Sequence, residues 1–297
     1  MTAIDPALVL DEQARARLVD RFGTDVGPWC DALPDLIADL AVHWGLRLHS
    51  SVAGGTGRTF LGEDTSGMFV VLKVTPEPEI ARTEAAALRV WAGCGRVVNL
   101  LETAPAEGAI LLEGLAPGTP LAEHGPHFPV PEIAELLGQL ATTPVPDGGF
   151  ITLRERLDFI FGLFARRAEG VGIDPAAITR SLALARELAS SGPVRLLHGD
   201  LHPNNVLDAG AARGAVAIDP RPCLGDPAAD ATDWAMLPLL HGGSLDDGVS
   251  TLVAAVPELD VERLTAWCRS FAVLMAIAQL RRHGRTGEAE TMLKLIP

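Results

Sequence analysis

Short apolar runs separated by glycine-rich turns occupy the chain from about residue 46 to residue 112. Runs of this length, bounded by turn residues, are typical of β-strands. They predict strands over residues 46–52, 59–61, 68–75, 97–103 and 109–112. Between the third and fourth strands, apolar residues at helical spacing predict a helix over residues 79–91, and the same spacing predicts an earlier helix over residues 31–44.

The second half of the chain carries mainly helical patterns. Thr152 and Glu155 have the spacing of a capping box, and Asp174 followed by Pro175 marks another helix start. Helices are predicted over residues 131–141, 152–167, 174–190, 228–240, 261–283 and 287–295, and short strands over 194–197, 206–207 and 215–218. The turn-rich residues 115–120 separate the two patterns. The chain is therefore predicted to be an α+β protein with lobes at residues 1–115 and 116–297.

The segment His198-Gly-Asp-Leu-His-Pro-Asn-Asn205, followed by Ile218-Asp219, is the strongest chemical signal in the sequence. Phosphoryl transfer needs a carboxylate that accepts the proton of the attacking hydroxyl, and oxygen ligands that hold Mg²⁺ on the phosphates. Asp200 is therefore the predicted catalytic base. Asn205 and Asp219 are the predicted metal ligands, joined by a predicted β-hairpin with its turn around residues 208–214. A plain polar turn followed by an edge strand is the alternative, but it does not explain the whole set.

A kinase also needs a cation for the α- and β-phosphates, commonly a strand lysine paired with a helix glutamate. Lys73 lies in the apolar run 68–75, and Glu84 lies in the middle of the predicted helix, so they form the predicted pair, with Glu79 as the weaker partner. The backbone around Gly55 and Gly57 is predicted to cover the phosphates. The alternatives are a lysine that reaches solvent and an ordinary hairpin turn.

The connector between the predicted lobes is the expected place for the nucleotide base. Backbone groups around Glu113 and Leu115 are predicted to bind adenine there. Arg58, which follows the glycine turn, is a further candidate for phosphate binding.

The charge balance narrows the class of ligand. With 38 acidic and 24 basic residues, the net charge is −14. Such a charge repels nucleic acid and attracts a cationic small molecule, so the second is the more plausible ligand. The simpler explanation of the same charge is that an acidic surface keeps the molecules of a soluble protein dispersed. The four cysteines form no CxxC pair and are expected to be free thiols in a reducing cytoplasm. With no signal-peptide pattern and no membrane-length apolar run, we expect a cytoplasmic protein, and no obligate protein partner is evident.

These residues resemble the aminoglycoside phosphotransferase and protein-kinase-like superfamily. Residues 217–230, together with 29–34, 84–91 and 111–118, are similar to its aminoglycoside/hydroxyurea antibiotic resistance kinase branch, which includes streptomycin 6-kinases. The resemblance implies a protein-kinase-like bilobal fold. In that fold a small N-terminal lobe contains an antiparallel sheet and a larger C-terminal lobe is mainly helical. The resemblance also implies ATP, or GTP, and Mg²⁺.

The same resemblance assigns roles to residues near the catalytic segment. Because protein kinases of the Ser/Thr type carry a lysine at the position of His202, this residue is predicted to approach the transferred phosphate or the acceptor. His198 is expected to support the loop, and Asp230 to accept hydrogen bonds from its backbone. Asp226 could be structural or could face the acceptor.

Two departures from the branch leave the acceptor open. Arg221 replaces a common lysine, and Ala229 replaces a common aromatic residue and is followed by Ala-Thr-Asp, which is more polar than usual. Three hypotheses remain. The first is a kinase of a streptomycin-like cationic aminoglycoside, and the second is a kinase of another small metabolite such as a sugar, an amino alcohol or a hydroxyurea-like compound. The third is a non-catalytic nucleotide-binding module. The intact set of a base and metal ligands argues against it, because a protein that only binds a nucleotide does not need both.

Overall fold

The computed structural model describes residues 9–125 and 128–297. The chain divides into two compact units. The first contains the described residues up to Gly93 together with Val98–Gly118, and the second contains Cys94–Val97 together with Thr119–Pro297.

The first unit is built on one five-stranded antiparallel sheet in the order β1-β2-β3-β5-β4. Its elements are α1 (Glu12–Phe22), α2 (Gly27–His43), β1 (Arg47–Ala53), β2 (Arg58–Glu63), β3 (Phe69–Val74), α3 (Pro78–Val90), β4 (Leu100–Ala104) and β5 (Ala109–Glu113). Side chains alternate between buried and half-buried along β2 and β3, so one face of the sheet forms the core. Phe60 and Leu72 from that face pack against Leu33 and Ile37 of α2.

The second unit is mainly helical. Its helices are α4 (Val130–Thr142), α5 (Leu153–Arg167), α6 (Pro175–Ala189), α7 (Thr232–Met236), α8 (Leu245–Ala255), α9 (Val261–His283) and α10 (Gly287–Leu295). Its strands are β6 (Thr119–Pro120), β7 (Arg195–Leu197), β8 (Val206–Asp208), β9 (Ala215–Ala217) and β10 (Cys223–Gly225). The antiparallel sheet of the first unit and the helices of the second confirm the predicted fold class.

The predicted hairpin is present as β8 and β9. Val206 pairs with Ala217 and Asp208 pairs with Ala215, in antiparallel register. The capping box of α5 is also present, because Thr152 accepts a hydrogen bond from the Glu155 amide while the Glu155 side chain accepts one from the Thr152 amide. The hairpin directly follows the segment His198–Asn205, which is the candidate catalytic segment, and α5 carries Arg156, which contacts that segment.

Several predicted boundaries were wrong. α2 begins at Gly27 rather than residue 31, because Pro28 is tolerated in a first helical turn, where its missing N–H is not needed. β4 begins at Leu100 rather than residue 97, since Val97 instead bridges Ala217 in the second unit. The helix predicted over residues 228–240 is interrupted, and only Thr232–Met236 is α-helical, flanked by 3₁₀ turns, the second of which contains Pro238. Four of the labelled helices and strands were not predicted: α1, α8, β6 and β10.

The four cysteines are free thiols, as expected. Within residues 9–125 and 128–297, the structure contains no helix that combines the length and the apolar character needed to span a bilayer.

Candidate active site

The candidate catalytic segment follows β7 and is held by two side chains, of which Asp230 is buried and Arg156 is half-buried. Asp230 accepts hydrogen bonds from the amides of His198 (2.7 Å) and Gly199 (2.8 Å). Arg156, from the helix α5, donates to the Gly199 carbonyl at 2.8 Å. Gly199 has a φ of +73°, and a Cβ there would lie 2.1 Å from the Arg221 carbonyl oxygen, so the loop needs glycine at this point. The hydrogen bonds expected of Asp230 are confirmed.

His198 is a supporting residue rather than an acid or base. Its side chain is fully buried, and its Nε2 lies 3.0 Å from the Ile218 carbonyl oxygen. Burial lowers the pKa of His198 to about 3 because the charged form loses its hydration. The ring is therefore neutral at physiological pH and ties the loop to the end of β9.

Asp200 and Asn205 precede the β8–β9 hairpin, and Asp219 follows it. Asn205 donates its Nδ2 to the Asp200 carbonyl oxygen at 2.9 Å, and the same nitrogen lies 3.5 Å from the carboxylate Oδ2 of Asp200. The Ile218 amide donates to the Asn205 carbonyl at 2.9 Å, which brings the residue before Asp219 against Asn205. Since Nδ2 is committed to Asp200, the Oδ1 of Asn205 is the atom left to act as a metal ligand.

Asp219 has an unusual backbone for a residue with a side chain. Its φ is +57°, in the left-handed region that favours glycine. Such conformations cost energy and cluster at functional sites. Its carboxylate lies 3.5 Å from the Arg221 guanidinium, and Pro220 follows it directly.

These residues fit a magnesium ion that is shared with phosphates. In the part of the chain that the structure describes, no three His, Cys, Asp or Glu side chains are grouped so as to hold a metal ion. An ion held by Asn205 and Asp219 would therefore take its other ligands from phosphate oxygens and water. Mg²⁺ commonly binds in this way, through one or two protein ligands at phosphate sites.

A cavity of about 760 Å³ opens beside the catalytic segment within the second unit. Asp200 and His202 form part of its polar wall, together with Asp233 from the first turn of α7. Apolar residues of α5 and α9, among them Leu157, Phe164 and Phe271, form another part of the lining. The Nδ1 of His202 is buried and has no hydrogen-bond partner within the described chain. The cavity is large enough for a small-molecule acceptor.

Asp226 is structural, which answers the question left by the sequence. It is only 2% exposed and accepts hydrogen bonds from Trp267 Nε1 (2.6 Å), the Ala228 amide (3.0 Å) and Arg263 Nε. Arg263 also donates to the Leu188 carbonyl at 2.7 Å. Asp226 thereby ties the start of the segment that carries Asp230 to α6 and α9.

In the first unit, Lys73 of β3 contacts Glu84 of α3. Its Nζ lies 2.5 Å from Glu84 Oε1, and Glu84 is only 2% exposed. Glu79 instead pairs with Arg82 at the surface. A lysine that emerges from a buried strand against a buried glutamate is the arrangement that kinases use for the α- and β-phosphates.

The predicted glycine turn connects β1 and β2. A Cβ on Gly57 would lie 2.0 Å from the Val74 carbonyl oxygen, so this position requires glycine for close packing. Gly55 has open space around it. The guanidinium of Arg58 is buried and donates to the Val9 carbonyl (2.9 Å) and to Ser51 Oγ (2.7 Å). These contacts give Arg58 a structural explanation and remove the reason to assign it to phosphate.

Glu113 and Leu115 lie at and just beyond the end of β5. The Glu113 carboxylate accepts hydrogen bonds from the backbone and side-chain nitrogens of Asn99, at 2.8 and 3.0 Å. Leu115 is buried within the first unit. Their predicted role in adenine binding remains a prediction.

The fold is that of a kinase-like small-molecule phosphotransferase. The structure resembles choline kinase LicA from Streptococcus pneumoniae with a TM-score of 0.62 and 15% identity, covering 88% of this chain and 97% of that one. It also resembles a thermostable mutant of the aminoglycoside phosphotransferase APH(4)-Ia with a TM-score of 0.60 and 18% identity, covering 86% and 96% of the two chains. At these identities the likeness establishes the fold alone.

Sequence similarity defines the family. A model of the aminoglycoside/hydroxyurea antibiotic resistance kinases matches residues 43–284. A hydroxyurea phosphotransferase of Kitasatospora aureofaciens is 34% identical over 260 residues, which cover 83% of this chain and 73% of that protein. A streptomycin 6-kinase of Streptomyces glaucescens is 32% identical over 228 residues, 74% and 72% of the two chains. The chain belongs to this kinase family, and it is a phosphotransferase with an alcohol group as acceptor.

Two residues of the site were missed by sequence reasoning. Arg156 supports Gly199 from a helix far away in sequence, and a lone arginine in an amphipathic helix gives no signal of this contact. Asp233 lines the cavity, and its only sequence signal was the unusually polar Ala-Thr-Asp that follows Asp230.

Proposed function

We propose that this enzyme transfers the γ-phosphoryl group of ATP, or GTP, to a hydroxyl group of a streptomycin-like aminoglycoside. The observation that carries the proposal is the grouping of Asp200, Asn205 and Asp219 around one hairpin, with Asp200 facing a cavity. The family supports a small-molecule acceptor. Related folds that were solved with ADP or AMP-PNP support the use of a nucleotide.

Each residue has a distinct role in this proposal. Asp200 orients the acceptor hydroxyl and accepts its proton as the oxygen attacks the γ-phosphorus. Asn205 and Asp219 hold Mg²⁺, which neutralises charge on the phosphates when it is bound. Lys73, fixed by Glu84, binds the α- and β-phosphates, and the backbone around Gly55 and Gly57 covers them. The backbone of Glu113 and Leu115 binds the base. His202 approaches the transferred phosphate or the acceptor.

The acceptor is proposed to be cationic. The net charge of −14 favours an amino or guanidino compound over an anionic one, and streptomycin 6-kinases are among the relatives. Hydroxyurea is the second candidate, because a hydroxyurea phosphotransferase is 34% identical to this chain over 83% of its length.

The test is a screen of purified protein with ATP and Mg²⁺ against streptomycin, other aminoglycosides, hydroxyurea and simple sugars, with ADP release as the readout. We expect turnover with streptomycin and none with simple sugars. Turnover with hydroxyurea alone would select the second candidate. Tight ATP binding without turnover on any acceptor would contradict the proposal and favour a nucleotide-binding module.

A further inference from the structure

The acidic side chain of Asp233 lines the cavity and has no role in the scheme above. Asp233 lies in the first turn of α7, between Thr232 and Trp234, which are both buried. Thr232 donates its hydroxyl to the Ala229 carbonyl at 2.8 Å, which fixes this turn. Asp233 is half-buried and lines the cavity together with Asp200 and His202.

The other charged residues near the catalytic segment are already engaged or lie at the surface. Asp230 accepts two backbone amides, and Arg156 donates to the Gly199 carbonyl. Glu123 and Arg282, which also line the cavity, are exposed to solvent. By contrast, the Asp233 carboxylate makes no hydrogen bond or ion pair with any residue in the ranges 9–125 and 128–297.

A nearby positive charge would stabilise the Asp233 carboxylate. Burial and the nearby Asp200 raise its pKa, and His202 lowers it. A cation beside Asp233 would therefore relieve both the desolvation and the repulsion between the two carboxylates. The apolar part of the cavity lining lowers the local polarity, which strengthens such a contact. That lining includes Leu157, Ile160, Phe164, Phe271, Leu274 and Met275.

We propose that Asp233 is a specificity-determining residue that binds a guanidinium or ammonium group of the acceptor close to the hydroxyl that Asp200 activates. This inference deepens the proposed function and rests on it for the identity of the reaction. A carboxylate matches a guanidinium in a bidentate geometry, so an acceptor with this group gains orientation as well as affinity. Acceptors that lack a cation near the reactive hydroxyl lose that contact.

The first test measures binding and needs no turnover. Calorimetry at pH 7.5 compares butylguanidinium with butylurea, which is its neutral counterpart of the same shape. We expect the wild-type protein to bind the cation about tenfold more tightly or better, the size of a charge-assisted hydrogen bond. Asp233→Asn should abolish that preference and leave butylurea binding unchanged, and Asp233→Glu should restore part of it.

The matched control is Asp246→Asn, which removes an exposed carboxylate of α8 outside the cavity and should keep the wild-type preference. Asp233→Ser serves as a second neutral variant if Asp233→Asn folds poorly. An unchanged preference in the neutral variants, or no preference in the wild-type protein, would overturn the proposal. Because these probes are only bound, the result can be interpreted even if the screen for transfer fails.

The second test separates binding from chemistry. For a cationic acceptor, Asp233→Asn should raise KM about tenfold or more and change kcat by less than about twofold. A fall in kcat that is equal for neutral and cationic acceptors would mean that Asp233 acts through His202 or Asp200, and would overturn its assignment to the acceptor.

Discussion

Asp230 and Asp233 lie on one short segment, but their carboxylates have opposite surroundings. Asp230 is buried and accepts the amides of His198 and Gly199. Asp233 faces the cavity, and no residue of the described ranges bonds to it. The difference separates two uses of a carboxylate near a catalytic loop. Where the protein supplies the hydrogen bonds, the carboxylate fixes the loop; where it does not, the carboxylate is available to a ligand.

The same contrast holds for the two histidines of the catalytic segment. His198 is fully buried and contacts the Ile218 carbonyl, whereas His202 lies half-buried in the cavity wall. Residues of the first kind should affect stability when changed, and residues of the second kind should affect acceptor binding or turnover. Four substitutions test this division.

The largest effect is expected at the base. Asp200→Asn removes the proton acceptor, so kcat should fall by about a thousandfold or more. Nucleotide affinity should change little, because the base acts on the acceptor. Steady-state kinetics and nucleotide titration measure the two quantities. Wild-type turnover in this variant would show that the loop has been assigned wrongly.

Asp226→Ala tests the residues that are expected to affect stability. The substitution leaves the Arg263 guanidinium without its buried partner, so the free energy of unfolding should fall by about 3 kcal/mol or more. Urea unfolding measures the change. Asp158→Ala, which breaks a pair with Arg186 that is largely exposed, is the control and should cost less than about 1 kcal/mol. Equal losses in the two variants would contradict the structural role of Asp226.

The third prediction concerns pH. Burial raises the pKa of Asp230 to about 6, above the ordinary value for an aspartate, because the charged carboxylate loses hydration. The folded protein therefore takes up a proton near pH 6, where the unfolded chain does not. As the pH falls from 7 towards 4, the wild-type protein should gain stability relative to Asp230→Asn. The low pKa of His198 acts in the opposite direction but is common to both proteins, so the difference between them isolates Asp230.

Urea unfolding of both proteins at several values between pH 7.5 and 4.5 measures this difference. A difference that stays constant with pH would show that Asp230 is ionised in the folded state throughout the range.

The smallest effect is expected for His202. His202→Ala removes a group that lines the cavity without a structural hydrogen bond at Nδ1, so kcat/KM should fall about tenfold while stability is nearly unchanged. Steady-state kinetics and thermal unfolding measure both. If kcat and KM both remain at their wild-type values, His202 has no part in transfer.

Regular patterns made much of the fold predictable. The helix Val261–His283 begins after the cap Asp260 and ends before Gly284, and the structure gives it the predicted bounds. The fold class and the β8–β9 hairpin were also predictable. The interruption around α7 was not predicted, because apolar spacing runs through Pro238 although the helix does not. The strand Cys223–Gly225 has only three residues and no alternation to reveal it.

For the candidate site, the sequence indicated the residues with candidate chemical roles. It did not indicate the residues whose contacts position them. Asp200, Asn205 and Asp219 stand close together in the sequence and have a recognisable spacing. Arg156 reaches Gly199 from 43 positions away in the sequence, a contact that depends on how α5 packs. A role for Asp233 could be inferred only from its place in the cavity, because a polar residue in a short helix has many explanations.

The central claim is that the loop carrying Asp200 transfers phosphate to a hydroxyl of a small molecule. The most direct measurement is ³¹P NMR of a reaction that contains the wild-type enzyme, ATP, Mg²⁺ and streptomycin, with Asp200→Asn as the control. The account predicts a new phosphate monoester on the acceptor with the wild-type enzyme and none with the variant. Phosphate that remains in ATP, or appears only as the inorganic ion, with streptomycin and with every other hydroxyl acceptor offered would contradict it.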